Sequence, residues 1–203
     1  MAKFFKSTLF KCIATLLAII IVSGLSIAIL SDVLYVSPEE RTGRALQKIY
    51  GRALDASEYT ALCDVDSNDD KINKAIPYDK GQIEKIFRVG NENEKHDMIF
   101  RTTGKEGYKG GTVTMWIQVV VNGENLKIQK VIIDGNTKQT LMSKLSDSYL
   151  NGFSIDISKD YQTYFYANKD GNGKSNPVSG ATMSAQAGCN AVNCVIKYLK
   201  GGN

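Results

Sequence analysis

Between Cys12 and Ser31 the chain carries no charged residue, and beyond Asp32 the apolar positions break into short periodic groups separated by polar turns. Twenty uncharged, mostly apolar residues in a row predict a helix that covers roughly the 30 Å of a bilayer core. Lys3, Lys6 and Lys11 precede it, so the positive-inside rule predicts a cytoplasmic N-terminus and a translocated remainder. A cleaved signal peptide is the competing reading. The run is long for that role and no small-x-small site precedes Asp32, which favours an uncleaved anchor.

The pattern after the anchor predicts one domain. Ser37-Pro38-Glu39-Glu40 reads as a helix start, and Ala45, Leu46, Ile49, Tyr50 and Leu54 continue an amphipathic face, predicting a helix over 37–62. Asp64 to Lys74 is a polar, acidic loop. Asp79 to Val89 fits either a short helix or a strand. Met98–Thr102, Thr112–Val121 and Leu126–Ile133 read as strands, the last two joined at Asn122-Gly123, a strong hairpin signal. Leu141–Leu150 reads as a short helix and Phe153–Ile157 as a strand. Asn168 to Asn176 is a polar loop after the aromatic segment Tyr161–Tyr166. The predicted class is α+β, with a mostly antiparallel sheet and a C-terminal helix. The predicted boundaries are 1–34 for the stub and anchor and 35–203 for a single domain.

The clearest chemical signal lies at the start of that last helix. Asn176-Pro177-Val178-Ser179-Gly180-Ala181-Thr182-Met183-Ser184 forms a turn, and Ala187, Ala191, Val195 and Leu199 then recur every four residues, widened by Val192, Ile196 and Tyr198. Ser179 or Thr182 is expected at or beside the N-cap, where a hydroxyl satisfies a free N–H group. Small residues at a helix N-terminus also leave room for an anion. By itself this spacing favours a capped helix without a ligand.

Composition narrows the alternatives. The net charge of +4 is mild, three positive charges lie ahead of the anchor, and no basic patch interleaved with aromatics suggests nucleic acid. The four cysteines form no CxxC pair, which disfavours a disulfide scaffold or zinc site, and Cys189 and Cys194 read as small buried side chains. His96 is the only imidazole, stands among polar residues and is expected to be exposed, so no His-based catalytic constellation can be assembled. The calcium-loop pattern fails: Asp69 occupies the place of the turn glycine and Ala75 that of the closing glutamate. The acidic run Asp64, Asp66, Asp69 and Asp70 reads as solvated charge, and Asp170 to Gly173 as a turn. Walker and Rossmann glycine fingerprints are missing from the sequence, as are repeats.

Ser179-Gly180-Ala181-Thr182, followed by Ser184 and opening a terminal helix, resembles the flavinylation motif of the covalent FMN-binding domain family. Gly107-Tyr108-x-Gly110-Gly111, a strand, a short turn and a second strand match that family as well. Two stretches depart from it. Thr137 to Met142 stands where relatives carry Glu-Thr-Pro-Gly-Leu-Gly, with Leu141 alone in place, and Asn176 replaces a frequent aspartate. The resemblance implies FMN joined by a phosphoester to Thr182, with Ser179, Gly180, Ala181, Ser184, Thr140 and Leu141 around the cofactor. With the single anchor, the layout is similar to the G subunits of Rnf complexes, homologous to the longer C subunits of sodium-pumping NADH:quinone oxidoreductases. It implies an electron-relaying subunit on the extracytoplasmic side of the cell membrane. Its complex would couple ferredoxin oxidation and NAD reduction to Na+ or H+ transport. The implied partners are other membrane subunits and a maturing flavin transferase. A C-type subunit of a sodium-pumping NADH:quinone oxidoreductase, a stand-alone extracytoplasmic flavoprotein and a non-redox anchored binding or assembly module are the competing readings.

Overall fold

The computed structural model describes residues 8–158, 164–168 and 173–201. The chain divides into two compact units, Met1–Arg41 and Thr42–Asn203. The first contains helix α1 (Thr8–Leu34), whose stretch Phe10–Leu30 is long and apolar enough to cross a membrane and includes no buried residue. Three of its hydroxyls are satisfied within the helix: Thr15 Oγ1 donates to Lys11 O, Ser26 Oγ to Val22 O and Ser23 Oγ to Ile20 O. Internal pairing of this kind is what a hydrocarbon environment demands.

Helix α2 (Pro38–Tyr50) begins as the sequence predicts, with the Glu40 N–H donating to Ser37 Oγ at 3.1 Å. It ends twelve residues earlier than the predicted 62. Gly51 adopts φ +74°, a left-handed stop, and its N–H closes on Gln47 O. A short 3₁₀ turn (Ala56–Glu58) leads instead into strand β1 (Tyr59–Asp64).

The second unit is built on an antiparallel sheet of β1, β2 (Ile76–Tyr78), β3 (Gly81–Val89), β4 (His96–Gly104), β5 (Thr112–Asn122) and β6 (Asn125–Thr137). The order is β1-β3-β4-β5-β6, with β2 also paired to β3. Register sets two faces. Ile86 opposes Phe100, Phe100 opposes Ile117 and Ile117 opposes Val131, a buried row in the larger core. Phe87, Ile99 and Trp116 share the other face with Ala45, Leu46 and Ile49 of α2. Helix α4 (Thr182–Leu199) covers the first face against β3, β4 and β5. The architecture is therefore α+β, helix on sheet on helix, with an N-terminal apolar helix ahead of it.

Three local expectations need correction. Phe153–Ile157 is not a strand: Ile128 N donates to Ile155 O and Ile157 N to Leu126 O, but only Asp156 forms a ladder bridge, with Lys127. Leu141–Leu150 is split into a 3₁₀ turn (Met142–Lys144) and a short helix α3 (Asp147–Asn151). His96 is half-buried at the head of β4 rather than exposed. The aromatic stretch is described only from Tyr164, where β7 (Phe165–Tyr166) pairs in parallel with β8 (Lys174–Ser175); residues 161–163 and 169–172 lie outside the described residues.

The acidic run is not simply solvated. Lys85, 3% exposed, places Nζ 2.9 Å from Asp64, 2.8 Å from Asp66 and 3.2 Å from Thr42 Oγ1. A buried ammonium needs such partners, so two of the four aspartates hold the acidic segment to β3, and Thr42 ties α2 to the same lysine.

Candidate functional site

The α4 N-terminus is built by its own turn. The Ala181 N–H donates to Val178 O at 3.1 Å, and Gly180 takes φ +74°. A Cβ at Gly180 would be strained by that angle and would lie 2.7 Å from Lys144 Nζ. Ala181 is the N-cap and makes no side-chain cap bond, which corrects the expectation of a hydroxyl cap from Ser179 or Thr182. Thr182 is the first helical residue and is exposed, and its hydroxyl has no partner among the described residues. The Thr182, Met183 and Ser184 N–H groups likewise find no acceptor among the described residues, the usual condition of a first turn. Exposed Ser179 brings its carbonyl 3.5 Å from Lys144 Nζ.

Two further segments meet this turn through one side chain. Gln139 Oε1 accepts from Ser184 Oγ at 2.7 Å and from the Tyr108 N–H at 3.1 Å. Gln139 Nε2 donates to Thr137 O at 3.0 Å and to Tyr108 O at 3.4 Å. The glycines of the Gly107–Gly111 turn make this possible. A Cβ at Gly107 would stand 2.5 Å from Gln139 Nε2, and one at Gly111 would stand 2.1 Å from Thr137 O. Ser184 is thus turned inward, its hydroxyl committed to Gln139, while Thr140 and Leu141 continue from Gln139 along the surface.

The assembled surface has three notable properties. All three non-glycine residues with positive φ among the described residues lie here: Glu106 (65°), Lys109 (51°) and Lys138 (57°). Backbone strain of this kind persists where surrounding structure enforces it, and it concentrates at functional sites. Tyr108, Leu141 and Met183 are exposed apolar side chains on the joined segments; outside α1 the other large ones among the described residues are Tyr35 and Leu62. Lys109, over the Tyr108 ring at 5.4 Å, joins Lys138 and Lys144 in making the rim basic.

The sequence singles out Gly180, Thr182, Ser184 and the Gly107–Gly111 turn, and the structure joins Ser184 to that turn through Gln139. Sequence reasoning did not find Gln139 or Lys144, which lie in or just after the stretch that departs from the family pattern. Asn176, the other departure, has a structural role, since its Nδ2 donates to Tyr149 O at 2.9 Å beside Gly152, whose missing Cβ leaves space for the amide. No cluster of metal-binding side chains occurs among the described residues. Comparison of the chain with protein-family models gives no match, and no curated protein is significantly similar to it.

Proposed function

We propose that this protein is a membrane-anchored flavoprotein subunit that carries FMN on Thr182 through a phosphoester. In this reading it relays electrons on the outer face of the cell membrane within an Rnf-type ferredoxin:NAD oxidoreductase. The observation that carries the reading is the start of α4: an exposed Thr182 hydroxyl and three N–H groups, all without a partner among the described residues, beside a glycine at φ +74° and the Lys144 ammonium. A phosphodiester there would meet oriented donors, the positive end of the helix dipole and a counter-charge. Tyr108, Leu141 and Met183 offer apolar surface beside it, and Lys109 and Lys138 offer further positive charge. FMN supplies one- and two-electron chemistry when bound, so the protein has to hold it, tune it and exclude side reactions. Thr182 Oγ1 is the nucleophile of attachment, losing its proton as it displaces the leaving group from the phosphorus of an activated flavin nucleotide. Helix α1 anchors the domain, and the lysines ahead of it favour a cytoplasmic N-terminus.

Co-expression with a flavin transferase followed by in-gel fluorescence after SDS denaturation tests the attachment. Wild type is expected to fluoresce and Thr182→Ala to be dark, with its stability changed by less than about 0.5 kcal/mol because the side chain is exposed. Lys144→Gln should lower flavin loading a few-fold while leaving the fold intact. Dark wild-type protein, or a fluorescent Thr182→Ala, sinks the reading. Co-purification with polytopic membrane subunits then separates a complex subunit from a stand-alone flavoprotein.

A further inference from the structure

A cleft of about 490 Å³ runs along α4 on the side of β2 and β7, within the size range of small-molecule sites. Its walls are the rings of Tyr78, Tyr164 and Tyr166, with Lys80 and Lys197 among its charged residues. Gln186, Asn190, Asn193 and Lys197 lie four, eight, eleven and fifteen positions beyond Thr182, so all share one face of the helix with it. The three amides are mostly engaged in construction. Asn193 exchanges two hydrogen bonds with the Phe165 backbone, Gln186 accepts from Ala167 N, and Asn190 donates to Lys105 O. Asn193 and Gln186 fasten the β7 segment to α4 and so hold the Tyr164–Tyr166 wall in place. Lys80 is paired with Glu106 at 3.0 Å and also feels the charge of Asp79, a further lining residue, whereas half-buried Lys197 forms no ion pair among the described residues.

Aromatic walls and an ammonium held in no ion pair suit a flat ring that carries electron-rich oxygens, since tyrosines stack on its faces and the ammonium meets its carbonyl edge. We propose that the cleft binds a planar aromatic ring bearing ring carbonyls, of the isoalloxazine or quinone kind. Two sources share that chemistry. One is a flavin tethered one helical turn away at Thr182; the other is a free molecule binding beside it. The cleft itself stands on its own lining, and only the first source rests on the flavin reading of Thr182.

Riboflavin, which lacks the phosphate, is the probe, titrated into the full chain in detergent and followed by quenching of its fluorescence. Thr182→Ala protein is expected to bind it saturably. On that background Lys197→Gln and Tyr166→Leu are each expected to weaken binding by about tenfold with unchanged thermal unfolding. Lys197→Gln is the safer variant, because that side chain supports no described contact in the fold. Absence of saturable binding, or affinity indifferent to Lys197→Gln, overturns the proposal. Flavinylated protein then names the source: exclusion of riboflavin supports the tethered ring in the cleft, and undiminished binding supports a free one. Covalent loading is read separately on the denaturing gel, so failure of the cleft and failure of the attachment at Thr182 remain distinct results.

Discussion

A thiol sealed in a protein core holds its proton, because the thiolate would lose its hydration. Burial pushes both Cys189 and Cys194 up to about 12 and raises Cys63 as well. All three are therefore expected to resist iodoacetamide at pH 8 in the native state and to react once urea unfolds the domain, which mass spectrometry reads directly. The pH dependence has a definite sign. In the unfolded chain these thiols ionise near 9, so their contribution is fully present below that pH and is lost as pH climbs toward 12. Urea midpoints should fall over that window, and Cys189→Ala with Cys194→Ala should flatten the fall. At this scale the sequence was partly legible. The small, buried character of the two helix cysteines followed from their neighbours. The partners of Gln139 and Lys85 did not, because each bonds segments far apart in the chain and a single sequence carries no trace of such meetings.

Elements are held by close approach as much as by apolar area, and Gly104 at the end of β4 shows this. A Cβ there would stand 1.9 Å from Ala187 O and 2.5 Å from Ala191 N, both backbone atoms of α4 that cannot turn aside. Gly104→Ala should thus push the helix off the sheet and destabilise the domain by about 3 kcal/mol or more, measured by urea unfolding. Gly110→Ala, where no atom lies near the added Cβ and only φ +70° opposes it, should cost about 1 kcal/mol. A helix face that meets a strand so closely explains which elements could be read in advance. Helix α4 and the β5–β6 hairpin announced themselves through four-residue spacing and Asn122-Gly123, both local signals. Phe153, Ile155 and Ile157 do alternate as a strand should, and all three are buried. They lie along the edge of β6 that β5 leaves open, yet Asp156 alone forms a bridge there, to Lys127, so the segment adds no ladder to the sheet. The helical pattern extrapolated past Tyr50 failed for another local reason, since Gly51 reverses the chain before Leu54 can extend the stripe.

The whole molecule combines two surfaces with opposite demands. Helix α1 exposes leucines, isoleucines and valines all round, which suits lipid, whereas Thr42–Asn203 encloses its own cores. The structure gives α2 a place in the second of these cores that the apolar pattern of the sequence only hinted at. Leu46 and Ile49 pack with Phe87, Ile99 and Trp116, Tyr50 donates from its hydroxyl to Asp97 at 2.6 Å, and Lys130 Nζ donates to Lys48 O at 2.7 Å. Removing the anchor should accordingly be harmless to folding, and removing α2 should not. Burial of Leu46 and Ile49 is worth about 2 kcal/mol each, and their loss would also expose a face containing tryptophan and phenylalanine. Against a total stability of about 5–15 kcal/mol, that is a large fraction. A fragment of residues 35–203 is expected to be monomeric in size-exclusion chromatography and to unfold cooperatively in urea. A fragment of residues 52–203 is expected to aggregate, or to unfold at a midpoint lower by about 4 kcal/mol of stability. Equal stability of the two fragments would show that α2 merely leans on the sheet, and the face bearing Trp116 would then have to be stable in water by itself.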